Sequence, residues 1–432
     1  MKARRNVVVV GAGPMGLACA YEMTKAGHNV AVLEAGDRIG GMSASFDFAG
    51  LRIERFYHFI CSTDYPLFEL LDELHLKDRL RWKDTSMGFY YQGRLYDWGR
   101  PDHLLRFPHL DLVSKMRFAL HVLYTKSVKD WTRLDRVEAT SWIKRWIGQR
   151  GYEVLWDKLL RLKFYEHMEN LSAAWIGARV ARVAKSRKSV FVESLGFIEG
   201  GSEVIIQELR ARIEAMGGRV EVGMPVTRIL TRDKRVCGVQ VKERVHDCDT
   251  VVSTIPLKYV PAMAPDLTAE ELAKIAAIEN IGVVCVLLKL KRPLTRYFWM
   301  NTNDDSMQIP GVIEYTNLNA LAHHVVYVPF YMPPTHPKYG RPSAEFIDEV
   351  VGYVKRINPN FTDDWILASH ASRYQFAQTV CTPDFFAKLP SMRTSINGFF
   401  MADTAYYYPE DRSISESVQV GKRLAKAADE SA

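Results

Sequence analysis

Residues 6–42 read NVVVVGAGPMGLACAYEMTKAGHNVAVLEAGDRIGGM, and the spacing within this stretch decides the fold. Residues 7–10 are consecutive valines, a β-branched run suited to a strand buried on both faces. The run enters Gly11-Ala12-Gly13-Pro14-Met15-Gly16, a Gly-x-Gly-x-x-Gly turn, and then a helical stretch over 17–26. The first glycine permits the tight turn, the second lets the backbone approach a pyrophosphate, and the third lets helix and strand pack closely. The helix N-terminus offers free N–H groups and a positive dipole end to the phosphates. A second strand over 28–33 leads to Glu34-Ala35, with the acid eighteen residues beyond Gly16. A carboxylate there accepts hydrogen bonds from the hydroxyls of an adenosine ribose. A lone glycine turn is weak evidence, and an αβ unit that binds nothing is the bland alternative. Strand, turn, helix and acid in one register point instead to a Rossmann-like dinucleotide seat in an α/β chain.

Working outward, 432 residues suffice for two domains, and 47% apolar with 25% charged residues is ordinary for a globular protein. No run approaches the roughly 18 apolar residues of a spanning helix. Lys2, Arg4 and Arg5 ahead of the valines imitate a secretion signal, but the glycines within the apolar region favour the nucleotide turn. Six scattered cysteines without a Cys-x-x-Cys pair indicate neither a zinc site nor a disulfide framework. No metal is expected, and a reducing cytoplasm is the expected location. Residues 144–188 hold eleven Lys or Arg against four Asp or Glu. No nucleic-acid recognition motif accompanies that charge, so nucleic acid is not an expected partner. A solvated helical face is the bland reading, and an acidic or lipid-phosphate partner the sharper one.

The segment 45–60, SFDFAGLRIERFYHFI, predicts a hairpin turning at Ala49-Gly50, with a second arm leading to Phe56-Tyr57-His58. Residues 64–76 carry Leu67, Leu70, Leu71 and Leu74 at helical spacing, and 87–98 alternate around Gln92-Gly93 as a further hairpin. Residues 102–188 read as mostly helical. Within them 104–124 mix leucines, aromatics and basic residues; a core helix is the preferred reading and a surface lying on a membrane the alternative. In 196–218, Gly200-Gly201 open a helix with Ser202 as N-cap, and Gly217-Gly218 end it. Strands are predicted over 219–222, 226–230, 236–241 and 250–254, then over 282–290, 312–315 and 325–330, with a helix over 343–356. Residues 398–403 read as a short strand ending in Asp403, and 415–428 as a helix.

The run from Gly11 to Gly41, the block 196–256 and the block 398–421 together resemble the flavin amine oxidase superfamily. Protoporphyrinogen oxidase-like and phytoene desaturase-like oxidoreductases are the nearest resemblance. It implies FAD, held by Gly11, Ala12, Gly13, Pro14, Met15, Gly16, Glu34 and Ala35 and by Gly40, Gly41 and Met42 beside the ribityl chain and ring. Many members have a basic residue where this chain has Met42. It also implies adenine held at the Val226 backbone, Asp403 at the ribityl or pyrophosphate portion, and a helix opening at Ser413-Ile414 toward the flavin N1–C2=O edge. Oriented N–H groups there stabilise the negative charge that reduction leaves. The FAD-binding domain is then assembled from 1–76, 196–256 and 396–432. Two insertions, a mostly helical 77–195 and a mixed 257–395, form the substrate-binding domain. Many amine oxidases carry a lysine on the strand resembling 282–290, where this chain has Val284 or Cys285, with Lys289 and Lys291 too far along. That departure argues against amine oxidation.

The implied chemistry is hydride removal from a carbon of a small, apolar or lipid-like substrate to flavin N5, with oxygen or another acceptor restoring the flavin. Peripheral contact with a membrane is compatible with such a substrate. His58, Tyr57 and Glu410 are the ring-side candidates for catalysis, each with packing as its alternative. His58 and Cys61 are the candidates for covalent flavin attachment. A redox-neutral galactopyranose mutase-like enzyme is one rival, kept by His58 and the basic segment. A flavin-free binder of the Rab GDP-dissociation-inhibitor type is another, weakened by the intact glycine turn and Glu34.

Overall fold

The computed structural model describes residues 4–430. The valine run becomes the strand Asn6–Val10, buried at its last four positions. It occupies the centre of a parallel sheet ordered Arg219–Glu221, Asn29–Leu33, Asn6–Val10, Thr250–Ser253 and Phe399–Met401. Helix Pro14–Lys25 packs against both Glu203–Ala215 and the C-terminal helix Ile414–Asp429. The last contact is close: a Cβ on Gly421 would lie 2.5 Å from the Met15 carbonyl oxygen, so only glycine lets the two helices meet there.

A second, mixed sheet has seven strands in the order Ile366–Thr379, Asn280–Leu290, His324–Met332, Gly311–Glu314, Trp299–Thr302, Met87–Tyr91 and Arg94–Trp98. The 87–98 hairpin joins it through parallel pairing of Met87–Tyr91 with Trp299–Thr302. Alternation along Asn280–Leu290 divides the core. Val284, Val286 and Leu288 pack with Phe346 and Val350 of helix Ser343–Ile357, whereas Val283, Cys285 and Leu287 face the core shared with the parallel sheet. The chain is α/β in the sense expected.

Several elements differ from the sequence reading. The hairpin Ser45–Phe48/Leu51–Glu54 turns at Ala49-Gly50, but its ladder stops at Glu54. Residues 56–58 leave it because the Tyr57 ring packs edge-on against Trp299 and Tyr327 of the seven-stranded sheet. The helical insertion is tied at its ends by strands Leu80–Thr85 and Val192–Ile198, paired antiparallel. The long edge strand Ile366–Thr379 was not predicted.

The preferred core reading of 104–124 is overturned. Helix Leu112–Ser127 turns Leu112, Val113, Met116, Leu120 and Leu123 outward, each between 56% and 63% exposed. Its other side carries the buried Ser114, His121 and Thr125. Among the described residues no helix is long and apolar enough to cross a membrane.

Candidate active site

A cavity of about 740 Å³ reaches from the glycine turn to the inner face of the seven-stranded sheet. At the turn, Gly11 has φ +100° and a Cβ on Gly16 would stand 1.9 Å from the Gly11 carbonyl oxygen. A Cβ on Gly13 would meet nothing within 4 Å, because that glycine faces open space. Glu34 is pre-positioned by the turn: its Oε2 accepts from Ala12 N (2.9 Å) and its Oε1 from Gly36 N (2.8 Å). Gly40 N donates to Ala12 O at 2.8 Å. Of the predicted cofactor residues, Gly11, Gly13, Pro14, Met15, Glu34, Ala35, Gly41, Met42, Val226, Asp403, Ser413 and Ile414 line the cavity. Ala12, Gly16 and Gly40 do not; they shape the turn behind it. The bare Gly13 and the N-terminus of helix Pro14–Lys25, which no side chain caps, fit a pyrophosphate.

The C-terminal block closes the cavity from another side. Ser413 Oγ accepts from Glu416 N at 3.0 Å and caps the helix Ile414–Asp429. Asp403 is buried, with Oδ2 accepting from Leu257 N (2.9 Å) and Oδ1 from Ala405 N (2.8 Å). Burial raises its pKa although those N–H groups pull it down. The carboxylate is thus already engaged, tying the end of strand Phe399–Met401 to Leu257.

At the sheet end, Glu54 Oε2 lies 2.6 Å from His58 Nδ1, and Tyr327 OH donates to the Glu54 carbonyl at 2.8 Å. Ser202 does not cap its own helix as predicted. Its N–H donates to Glu54 Oε1 at 2.7 Å, so the acceptor comes from the hairpin instead. Tyr57 and His58 both line the cavity. Burial pushes the Tyr57 phenol well above its ordinary pKa, so it keeps its proton at neutral pH.

Glu410 does not line this cavity. It borders a small hollow with Trp175, Tyr408 and Arg412, while Asp411 faces the large cavity and Arg412 lines both. Cys61 is buried outside the lining, its thiol pushed up to about 11 chiefly by burial. Lys289 donates to Ala49 O at 2.7 Å, and Cys285 stands at the cavity. The reading of residue patterns missed Arg179, Tyr331 and Tyr374, which also line it. They come from separate segments, and no local spacing marks them.

The model of the flavin-containing amine oxidoreductases matches residues 16–427. The chain belongs to this family. Membership makes it a flavin-dependent oxidoreductase. Among its relatives in the flavin-containing amine oxidoreductases, the 15-cis-phytoene desaturase of Synechococcus elongatus is 22% identical over 323 residues, spanning 67% of this chain and 66% of that protein. The chloroplastic/chromoplastic 15-cis-phytoene desaturase of an Oncidium hybrid is 23% identical, spanning 98% of this chain and 77% of its own. The crystal structure of a candidate protoporphyrinogen oxidase from Exiguobacterium shares the fold at TM-score 0.78 and 18% identity, covering 99% of both chains.

Proposed function

We propose that the chain is an FAD-dependent oxidoreductase that removes hydride from a carbon of a small, largely apolar molecule. The supporting observation is one continuous cavity with two chemistries. Its glycine-turn end suits a dinucleotide, and its sheet end is walled by Tyr57, Trp299, Tyr331, Tyr374 and Phe376. FAD, when bound, supplies the two-electron acceptor. Gly11, Gly13 and the helix Pro14–Lys25 hold the pyrophosphate, Glu34 the ribose, and the Val226 backbone the adenine. The N-terminus at Ser413-Ile414 offers its dipole to the electron-rich edge of the ring. The aromatic wall excludes water and orients the substrate carbon, with Tyr57 as a neutral phenol in that wall. His58, steadied by Glu54, is the proposed station for a proton released as a double bond forms.

In this reading 1–76, 196–256 and 396–432 hold the cofactor, and 77–195 with 257–395 hold the substrate. The outward apolar stripe of Leu112–Ser127 supports peripheral contact with a membrane, where an apolar substrate concentrates. The first test is the absorption spectrum of the purified protein before and after acid precipitation, with the released flavin identified by chromatography. FAD in the supernatant is expected. Colour retained in the pellet would point to a covalent bond at His58. A colourless protein that takes up no added FAD overturns the proposal.

A further inference from the structure

Charge does not balance in the deep wall of the cavity. Arg179 pairs with Asp411 at 3.2 Å. Arg412 points two of its N–H groups at neutral acceptors, Tyr331 OH (2.8 Å) and Ala377 O. Lys163, 5% exposed, lies over the rings of Tyr331 (5.3 Å) and Trp175 (5.1 Å), with no hydrogen bond or ion pair among the described residues. Arg182, one turn from Arg179, is taken by Asp64 at 3.0 Å. Glu410 borders a small hollow that Arg412 also lines; burial raises its pKa, and the cations acting on it are Arg182 and Lys185.

Burial, then Arg179 and Arg412, hold the Lys163 amine well below its ordinary pKa. Despite its burial, Asp411 sits well below the carboxylate range because Arg179, Lys163 and Arg412 surround it. Even with Lys163 neutral, two guanidiniums therefore face one carboxylate, and Arg412, half-buried at the cavity wall, forms no ion pair among the described residues.

Building on the proposed function, we infer that this end of the cavity takes an anion, and that the substrate is an apolar molecule carrying one carboxylate, held by Arg412 with Arg179 beside it. The planar guanidinium fork matches a carboxylate, and Arg412 retains N–H groups beyond those used on Tyr331 and Ala377. Tyr331 OH accepts from Arg412, which leaves its own proton free to point into the cavity it lines. One excess positive charge matches a carboxylate better than a phosphate monoester, which carries about −1.5 to −2 at neutral pH. The same charge repels a cationic amine.

The test titrates the FAD-loaded protein with naphthoate and with the uncharged naphthamide, following flavin absorbance and tryptophan fluorescence. Naphthoate is expected to bind at least about tenfold more tightly. Arg412→Gln should erase that preference with flavin content kept, and Arg412→Lys should restore part of it. Equal binding of the two probes overturns the inference. So does an unchanged preference in Arg412→Gln accompanied by a lowered flavin reduction potential, which would assign the charge to the cofactor. Should Arg412→Gln not fold, Arg179→Gln and chloride competition on the unmodified protein answer the same question. A protein that takes up no FAD defeats the proposed function, yet fluorescence from Trp299 at the cavity still reads the carboxylate preference.

Discussion

Glu54 Oε2 sits 2.6 Å from His58 Nδ1 while its Oε1 takes the N–H of Ser202 at 2.7 Å, so one carboxylate joins the cavity lip to the start of helix Glu203–Ala215. Glu54→Ala leaves a buried N–H without an acceptor, and a loss of about 2–3 kcal/mol is expected in urea unfolding. Glu54→Gln keeps a carbonyl for Ser202 and should lose about 1 kcal/mol or less. Equal losses in the two variants would refute the capping role.

The glycine turn makes a contrasting pair. Gly16→Ala drives a Cβ to 1.9 Å from Gly11 O, and the cofactor-free protein should lose about 3 kcal/mol. Gly13→Ala meets no protein atom within 4 Å, so its unfolding should shift by no more than about 0.5 kcal/mol. Its flavin-to-protein absorbance ratio should nevertheless fall, because the methyl group occupies the pyrophosphate seat. A full flavin complement in Gly13→Ala would falsify that seat.

Glu416, in the first turn of the C-terminal helix, has its pKa pushed from 4.5 up to about 7 by burial and then by Glu410. The native state holds a proton that the unfolded chain has already released. Its stabilising contribution is therefore complete below about pH 4.5 and lost as pH rises through about 7. Glu416→Gln should be flatter across that window and more stable than the unmodified protein above it. The limiting slope is about 1.4 kcal/mol per pH unit. Glu314, also pushed up to about 7, titrates in both proteins and cancels in the comparison. Superimposable stability–pH curves would exclude Glu416 as the proton holder.

The outward stripe on Leu112–Ser127 is flanked by the exposed Arg106, Lys126 and Lys129. Sedimentation with phosphatidylglycerol vesicles should exceed that with phosphatidylcholine vesicles. Met116→Glu combined with Leu120→Glu should reduce the bound fraction by about tenfold, with unfolding altered by no more than about 0.5 kcal/mol. Absence of vesicle binding, with a dimer that the double variant dissolves, would show that the stripe joins two copies instead.

The first strand, turn, helix and second strand were legible because their signals are local: valines, glycine turn, helix and Glu34 follow one another along the chain. The edge strand Ile366–Thr379 was not, since ILASHASRYQFAQT carries polar residues toward solvent and has no continuous apolar run. Helix Leu112–Ser127 shows a different limit. Periodicity tells which residues share a face, but only the neighbouring elements decide whether that face is covered. Asp403 was visible as an acid after a strand, whereas its engagement by Leu257 N depends on a segment distant in sequence. The meeting of Arg412, Tyr331 and Lys163 joins three segments that no spacing rule relates.

The close approach of Gly421 to the Met15 carbonyl has a consequence for biosynthesis. The glycine turn at 11–16 is synthesised well before the outer strand Phe399–Met401 and the helix Ile414–Asp429 that packs against the helix following the turn. Until residues 399–401 have been made, the valine-rich sheet lacks its outer strand beside Thr250–Ser253. In the proposed reading, bound flavin would therefore report a chain synthesised through Asp429, with the helix Ile414–Asp429 in place.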